Sequence, residues 1–150
     1  MQNKKSKYFN ALYRKAHNTN GVIGCFWKGL YVLYSEYVLG CEIKWCTEIG
    51  DGFEIFHGAR GSVVSPTAII GKNVSLRQNT TIGSKGFGGA DESPIIEDNV
   101  TIGPNVCIIG HIRIGHDCVI GAGAVVVKDV SPNTIVAGNP AIVIKRMDGK

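Results

Sequence analysis

The chain has 150 residues, 44% of them hydrophobic and 19% charged, which suits one domain and is too short for two. Sixteen Lys and Arg against twelve Asp and Glu leave a net charge of +4, a mild excess that suits an anionic cofactor and is too weak to indicate a nucleic-acid partner. The twenty glycines lack the three-residue period of collagen, so they indicate recurrent tight corners.

The cysteines argue against a disulfide framework and against a zinc site. They are odd in number and contain no CxxC pair. Reduced thiols are therefore expected. The first residues, MQNKKSKYFN, lack the apolar region of a signal peptide, and we expect a cytoplasmic protein.

Residues 1–40 are predicted to form an N-terminal helical segment. Phe9, Tyr13 and Ala16 recur at helical spacing among basic residues, which predicts a short amphipathic helix over 4–17. Residues 22–39 are predicted to form a second helix, with apolar residues all round its axis. Two interpretations stay open: the helix is buried against the rest of the chain or a neighbouring subunit, or it lies on the inner face of the membrane as a peripheral anchor.

A six-residue rhythm organises the chain from residue 41 to 137. Between Ile96 and Ser131 an aliphatic residue opens every unit, and a small or aliphatic residue follows four positions later. This period predicts an all-β protein, a parallel β-helix in which three short strands close one triangular coil and stacked aliphatics form the core. Residues 138–150 are predicted to cap the end of the coil, because the register is lost after Ser131 and the prolines of PNTIVAGNPAIVIKR cannot donate ladder hydrogen bonds.

The rhythm fails at two places, HGARGS at 57–62 and SKGFGGADESP at 84–94. An insertion in a repeat protein leaves the coil at a corner and forms a surface loop, where binding and catalytic residues are often found. Both interruptions are therefore candidate parts of a functional site.

The uninterrupted repeat, followed by IGAGAVVVKDV and AGNPAIVIKR, resembles the hexapeptide-repeat acyltransferases from Cys41 to Arg146. The resemblance implies a left-handed parallel β-helix, a homotrimer and acetyl-CoA as co-substrate. The stretch EIKWCTEIGDGFEIFHG and loop 84–94 are similar to the branch that contains serine O-acetyltransferases and the O-acetyltransferases of capsule, colanic acid and lipopolysaccharide synthesis.

The resemblance implies that His57, in FHGARG, is the catalytic base. An imidazole can take the proton from an acceptor hydroxyl and pass it to the leaving thiolate. Such a base needs a carboxylate to orient it, and Glu42 occupies the matching position fifteen residues upstream. An ordinary corner histidine and a solvated carboxylate are the alternatives.

For the co-substrate, the resemblance places the CoA arm in a groove between two subunits. Pro104 and Ala122 match the positions that approach the pantetheine, where small side chains allow a close approach. Lys128 and Lys145 match positions where relatives place cations near the phosphates. Solvated surface charges are the alternative for both lysines.

The loop 84–94 is expected to close over the acceptor, with Gly88, Gly89, Asp91 and Ser93 as its candidate residues. Ser93 stands where serine acetyltransferases carry a second histidine, and only about forty residues precede the coil. Both departures favour an acceptor hydroxyl on a sugar of a bacterial surface glycan. Serine is the alternative acceptor, and a non-catalytic binding or assembly module is the alternative of another class.

His111 and His116 are five residues apart on the predicted β-helix and so resemble zinc ligands of the γ-class carbonic anhydrases. Those enzymes bind zinc between subunits through three histidines. Ser75 stands two coils before His111, where the third ligand is needed. No metal is therefore expected.

Overall fold

A computed structural model describes residues 3–86 and 93–147. The chain begins with two helices, α1 (Lys4–Asn18) and α2 (Gly21–Val32), and the second continues as a π-helical segment over Leu33–Leu39. The side chain of Asn3 caps α1 by accepting a hydrogen bond from the Ser6 amide. Gly40 ends the π-helical segment in the left-handed conformation, with φ of 72°.

Fifteen short strands follow in the described residues and form three sheets, called here faces 1, 2 and 3, in which every pair is parallel except that of β14 and β15. Face 1 contains β1 (Glu42–Ile43), β4 (Val63–Val64), β7 (Thr81–Gly83), β10 (Cys107–Ile109) and β13 (Val125–Val126). Face 2 contains β2 (Glu48–Ile49), β5 (Ile69–Ile70), β8 (Ile95–Ile96) and β11 (Arg113–Ile114). Face 3 contains β3 (Glu54–Ile55), β6 (Ser75–Leu76), β9 (Thr101–Ile102), β12 (Val119–Ile120), β14 (Thr134–Ala137) and β15 (Ile142–Arg146). The chain visits the faces in turn and so forms a coil with three edges, named here 1/2, 2/3 and 3/1 after the faces they join.

The core of the coil is built from the residues that open the hexads. In every strand from β1 to β13, the residue at the hexad opening is buried and its neighbour points outward. Ile82, Ile108 and Val126 stack in register on face 1 and are each at most 1% exposed. This confirms the predicted coil, because a period of six directs one large aliphatic inward on each face of every turn.

The corners turn through residues that tolerate positive φ. Asn79 and Asn105 stand at successive corners of edge 3/1, with φ of 56° and 57°. The Asn79 side-chain amide donates to Oδ1 of Asn105 at 3.2 Å. Asparagine is among the side chains that adopt this conformation most readily, so these sequence positions mark the corners.

The two helices cover the N-terminal end of the coil. Phe9 packs 5.8 Å from Phe53, and Ser6 Oγ accepts from the Ile55 amide at 2.9 Å. The hydroxyls of Tyr13 and Tyr31 donate to the carbonyls of Thr47 (2.6 Å) and Ile43 (2.7 Å). These contacts satisfy backbone groups of the first coil that have no earlier coil to pair with.

The C-terminal segment contains an element that the hexad pattern does not predict. Strand β14 continues face 3, and β15 folds back to pair with it in antiparallel fashion. Its residues are all exposed, because the strand lies at the outer end of the sheet. Within the described ranges, no helix is long and apolar enough to cross a membrane.

Candidate functional site

His57 begins a bulged corner on edge 3/1, between β3 and β4. A short 3₁₀ turn covers His57–Ala59, and its three residues all have positive φ, at 55°, 77° and 49°. The left-handed conformation costs about 1–2 kcal/mol for a residue with a Cβ, so His57 and Ala59 are held there by their surroundings. The His57 side chain is exposed at this corner.

Hydrogen bonds to the coils on either side hold the bulge. On one side, the Gly61 amide donates to the Gly40 carbonyl at 2.7 Å. On the other, the Asn79 amide donates to the Arg60 carbonyl at 2.8 Å. Ser62 is fully buried, and its hydroxyl donates to the Arg77 carbonyl at 3.0 Å. The five-residue bulge is thus fixed to its neighbours and presents His57 in a defined place.

Glu42 points outward from β1, close to the same edge, where its amide donates to the Ser62 carbonyl at 2.8 Å. Its carboxylate lies 3.2 Å from Nζ of Lys44, which also contacts Glu36 at 3.1 Å. The Lys44 ammonium donates hydrogen bonds to the carboxylates of Glu36 and Glu42, which raise the pKa of Lys44, so the ammonium is charged at neutral pH. Within the described part of the chain, the carboxylate of Glu42 pairs with Lys44, and no hydrogen bond joins it to His57.

A groove of about 260 Å³ lies beside Glu42. The carboxylates of Glu36 and Glu42 line it, together with small residues of the corners above and below: Gly40, Cys41, Gly61, Ser62 and Val63. Burial raises the pKa of the Cys41 thiol to about 12, so this cysteine is a neutral wall residue. The groove is accordingly small, and both acidic and basic side chains surround it: Lys44 pairs with the two glutamates, and the Arg60 side chain packs beside Gly40.

The four candidate co-substrate residues fall into separate places. Pro104 and Ala122 stack at successive corners of edge 3/1, where the Gly123 amide donates to the Pro104 carbonyl at 2.9 Å. They share this edge with His57. Lys128 is exposed and follows β13 on edge 1/2. Lys145 lies on β15, where it pairs with Ile135 of β14. The fold therefore brings the two small residues together, and each lysine lies on a different part of the coil.

Ser93 lies on edge 1/2 and is 4% exposed. Its hydroxyl is within hydrogen-bond distance of the hydroxyls of Ser65 (2.9 Å) and Thr67 (2.7 Å). The side chain is thus engaged within its own corner. Gly88, Gly89 and Asp91 lie outside the described residues. Of the predicted acceptor loop 84–94, the structure describes residues 84–86 and 93–94.

His111 and His116 stand at the two ends of β11, on edges 1/2 and 2/3. Nδ1 of His116 is 2.8 Å from Oδ2 of Asp117. No group of three or more potential metal-ligating side chains occurs in the part of the chain that is described. The strand between the two histidines directs them to different edges of the coil.

The Glu36–Lys44 contact is the feature of this site that sequence reasoning missed. Glu36 belongs to the π-helical segment and Lys44 follows β1, so the pair joins the helices to the coil. The only sequence signal is a lone acidic residue within an otherwise apolar helix. That signal also fits a solvated charge, so spacing alone does not identify the pair.

Residues 93–128 match the family described as "Bacterial transferase hexapeptide (six repeats)". The coil carries the hexapeptide repeat of the bacterial transferases. The match covers β8 to β13, the most regular part of the coil, and ends before the return strand β15.

Similar proteins extend the likeness beyond that segment. Serine acetyltransferase 3, mitochondrial, of Arabidopsis thaliana is 46% identical over 94 residues, which are 63% of this chain and 24% of that protein. Serine acetyltransferase of Escherichia coli K12 is 40% identical over 107 residues, 71% of this chain and 39% of that protein. The chain thus spans well under half the length of these two relatives.

Solved structures show the same likeness. The serine acetyltransferase of Vibrio cholerae superposes with a TM-score of 0.80 at 30% identity, covering 97% of this chain and 56% of that one. The Neisseria gonorrhoeae serine acetyltransferase gives 0.78 at 34% identity, covering 96% and 53%. These relatives overturn the interpretation of the chain as an O-acetyltransferase of surface sugars. Ser93 and the short N-terminal segment, which suggested it, were therefore poor guides to the acceptor.

Proposed function

We propose that this chain is a serine O-acetyltransferase that moves an acetyl group from acetyl-CoA to the serine hydroxyl. The observation that carries the proposal is the likeness to the solved serine acetyltransferase of Vibrio cholerae, which covers 97% of this chain. The proposal extends to a left-handed sense of the coil and to a homotrimer in which neighbouring subunits form the CoA groove.

In the proposed mechanism, the His57 imidazole takes the proton of the serine hydroxyl as its oxygen attacks the thioester carbonyl. The C–S bond of the resulting tetrahedral species breaks, and the imidazolium returns the proton to the departing thiolate. The products are O-acetylserine and CoA. Glu42 is assigned to stabilise the imidazolium, which requires its carboxylate to exchange the Lys44 contact for one with His57.

The groove beside Glu42 supports an amino-acid acceptor. The carboxylates of Glu36 and Glu42, which both belong to its lining, accept hydrogen bonds and so suit the α-ammonium group of serine. Pro104 and Ala122 offer the CoA arm a surface of small residues on the same edge, and Lys128 and Lys145 are assigned to the CoA phosphates.

The test is release of CoA thiol from acetyl-CoA in the presence of serine. Alanine is the matched control, because it has the ammonium and carboxylate groups and lacks the hydroxyl. Thiol release that needs serine and is absent with alanine supports the proposal. Absence of thiol release with serine from folded, trimeric protein contradicts it and favours a non-catalytic coil.

A second measurement tests the co-substrate assignment. Replacing Lys128 or Lys145 with Gln is expected to raise the KM for acetyl-CoA and leave kcat unchanged, because a phosphate contact contributes equally to the ground state and the transition state. A change confined to kcat would contradict this role.

A further inference from the structure

The two N-terminal helices carry an apolar surface that the coil does not cover. On α2 and the π-helical segment, Gly24, Tyr31 and Ser35 lie on one side and are buried, and the Tyr31 hydroxyl donates to the Ile43 carbonyl of the coil. The opposite side carries a row of exposed apolar side chains, called here the apolar stripe: Val22, Ile23, Phe26, Leu30, Leu33 and Tyr37. Their exposed fractions run from 37% for Leu30 to 88% for Val22. A contiguous apolar row of this kind indicates an interaction site.

The charge of the chain is concentrated beside this stripe. Residues 1–40 contain six basic residues and one acidic residue, a net charge of +5, whereas the other 110 residues have a net charge of −1. Four exposed lysines, Lys4, Lys5, Lys7 and Lys15, lie on α1. Nζ of Lys15 stands 4.0 Å from the ring centroid of Trp27 on α2, so the basic helix lies directly against the helix that carries the stripe.

The same charge argues against a second copy of this chain as the partner. Pairing two stripes would bring a segment of +5 against another of +5, and like charges across an interface oppose association. A partner with an apolar interior and an anionic surface matches both the stripe and the lysines. A lipid bilayer with anionic headgroups has this combination.

We propose that the outer surface of α1 and α2 docks on an anionic lipid bilayer. The apolar stripe enters the boundary between headgroups and acyl chains, and Lys4, Lys7 and Lys15 of α1 contact lipid phosphates, whereas Lys5 lies beside Gly58 at the bulged corner. Phe26 and Tyr37 on the stripe, and Tyr8 on α1, are exposed aromatics of the kind that sit at headgroup level. The helices lie in the plane of the membrane and do not cross it, in keeping with their length and hydropathy.

Vesicle flotation of the full chain tests the proposal without any enzymatic readout, so it is independent of the proposed function. Vesicles of phosphatidylcholine alone are compared with vesicles that also contain phosphatidylglycerol, at low and at high salt. The protein is expected to float with the anionic vesicles and to be released by salt. No flotation, or equal flotation with both vesicles at both salt concentrations, overturns the proposal.

Two pairs of variants assign the contacts. Phe26→Ser with Leu33→Ser is expected to weaken the partition coefficient about tenfold or more. The matched control, Ile142→Ser with Ile144→Ser on exposed β15, leaves it unchanged. Lys4→Gln with Lys7→Gln is expected to weaken it about fivefold per lysine, and Lys72→Gln with Lys85→Gln is the control on the coil.

Circular dichroism and light scattering on each variant separate lipid binding from folding and assembly. Weaker flotation of the stripe variant at unchanged helix content and mass supports the proposal. If the stripe variant has a lower mass than the unaltered protein, and the unaltered protein does not float, the stripe joins two copies of the chain and the proposal is wrong.

Discussion

Two kinds of corner on edge 3/1 can be compared directly. The corner at 121–123 turns through one left-handed residue, Gly123, with φ of 71° and no atom near enough to contact an added Cβ. The corner at 57–61 turns through four, of which His57 and Ala59 carry side chains. The regular corner adopts its turn at no steric cost, whereas the bulged corner is strained. Backbone strain of this kind clusters at functional sites, so the bulged corner with its exposed His57 is the candidate site on this edge.

The largest expected effect is on catalysis at the bulged corner. Under the proposed function, His57→Ala should lower kcat at least about a hundredfold, because general-base catalysis contributes about 10²–10⁴-fold. Steady-state rates with acetyl-CoA and serine measure this, and light scattering checks that the assembly is unchanged. Near-normal turnover of His57→Ala would show that His57 is not the general base.

The next effect concerns the core that both corners share. Ile108 is fully buried between Ile82 and Val126, and truncating such a side chain to Ala costs about 2–5 kcal/mol. Val63→Ala, on the outer side of the same face and 42% exposed, should change stability by less than about 0.5 kcal/mol. Denaturant unfolding at a fixed protein concentration compares the two. Equal losses would show that the aliphatic column is not the main source of stability.

The backbone strain at the two corners is measured by two substitutions: one places a side chain at Gly123, and the other places glycine at His57. Gly123→Ala should destabilise the fold by about 1–2 kcal/mol, because alanine is placed in the left-handed region. His57→Gly should be more stable than His57→Ala by a similar amount, about 1 kcal/mol. If His57→Gly and His57→Ala unfold at the same denaturant concentration, the left-handed backbone at position 57 is not strained.

The smallest effect tests the pairing of Glu36, Lys44 and Glu42. Lys44→Met removes a positive charge from the groove, and Glu36→Gln removes a negative one. If Glu42 serves His57, the acid limb of the rate–pH profile should move to higher pH in the first variant and to lower pH in the second, each by about half a unit or less. The charges of Lys5, Arg60 and Arg77 around the bulge are the same in both variants. Shifts of the same sign would exclude an electrostatic role.

Much of the coil was predictable because its physical cause is local and repeated. Each aliphatic at a hexad opening has one favourable direction, inward, so the spacing of Ile96, Ile102 and Ile108 specifies three faces without knowledge of distant contacts. The break of register at His57 located the bulged corner by the same logic. The roles of Glu42 and the co-substrate residues came from resemblance, and they remain predictions.

Other features depended on contacts between segments far apart in sequence. Strand β15 pairs with β14 in antiparallel fashion, which no six-residue pattern encodes. Ser93, predicted to hold the acceptor, is buried with Ser65 and Thr67 because its corner stacks on theirs. The preference for a sugar acceptor was wrong for a related reason: length and a single residue say little about a pocket.

The sequence by itself determined the regular part of this protein, the coil and the position of its strained corner, because hydrophobic spacing and breaks in that spacing are local properties. Only the tertiary structure decided which residues meet at the edges. Stacking of coils places Pro104 and Ala122 on the edge of His57, and docking of the helices brings Glu36 to Lys44 and leaves the apolar stripe outward. Such contacts join residues through the fold, and no spacing along the chain specifies them.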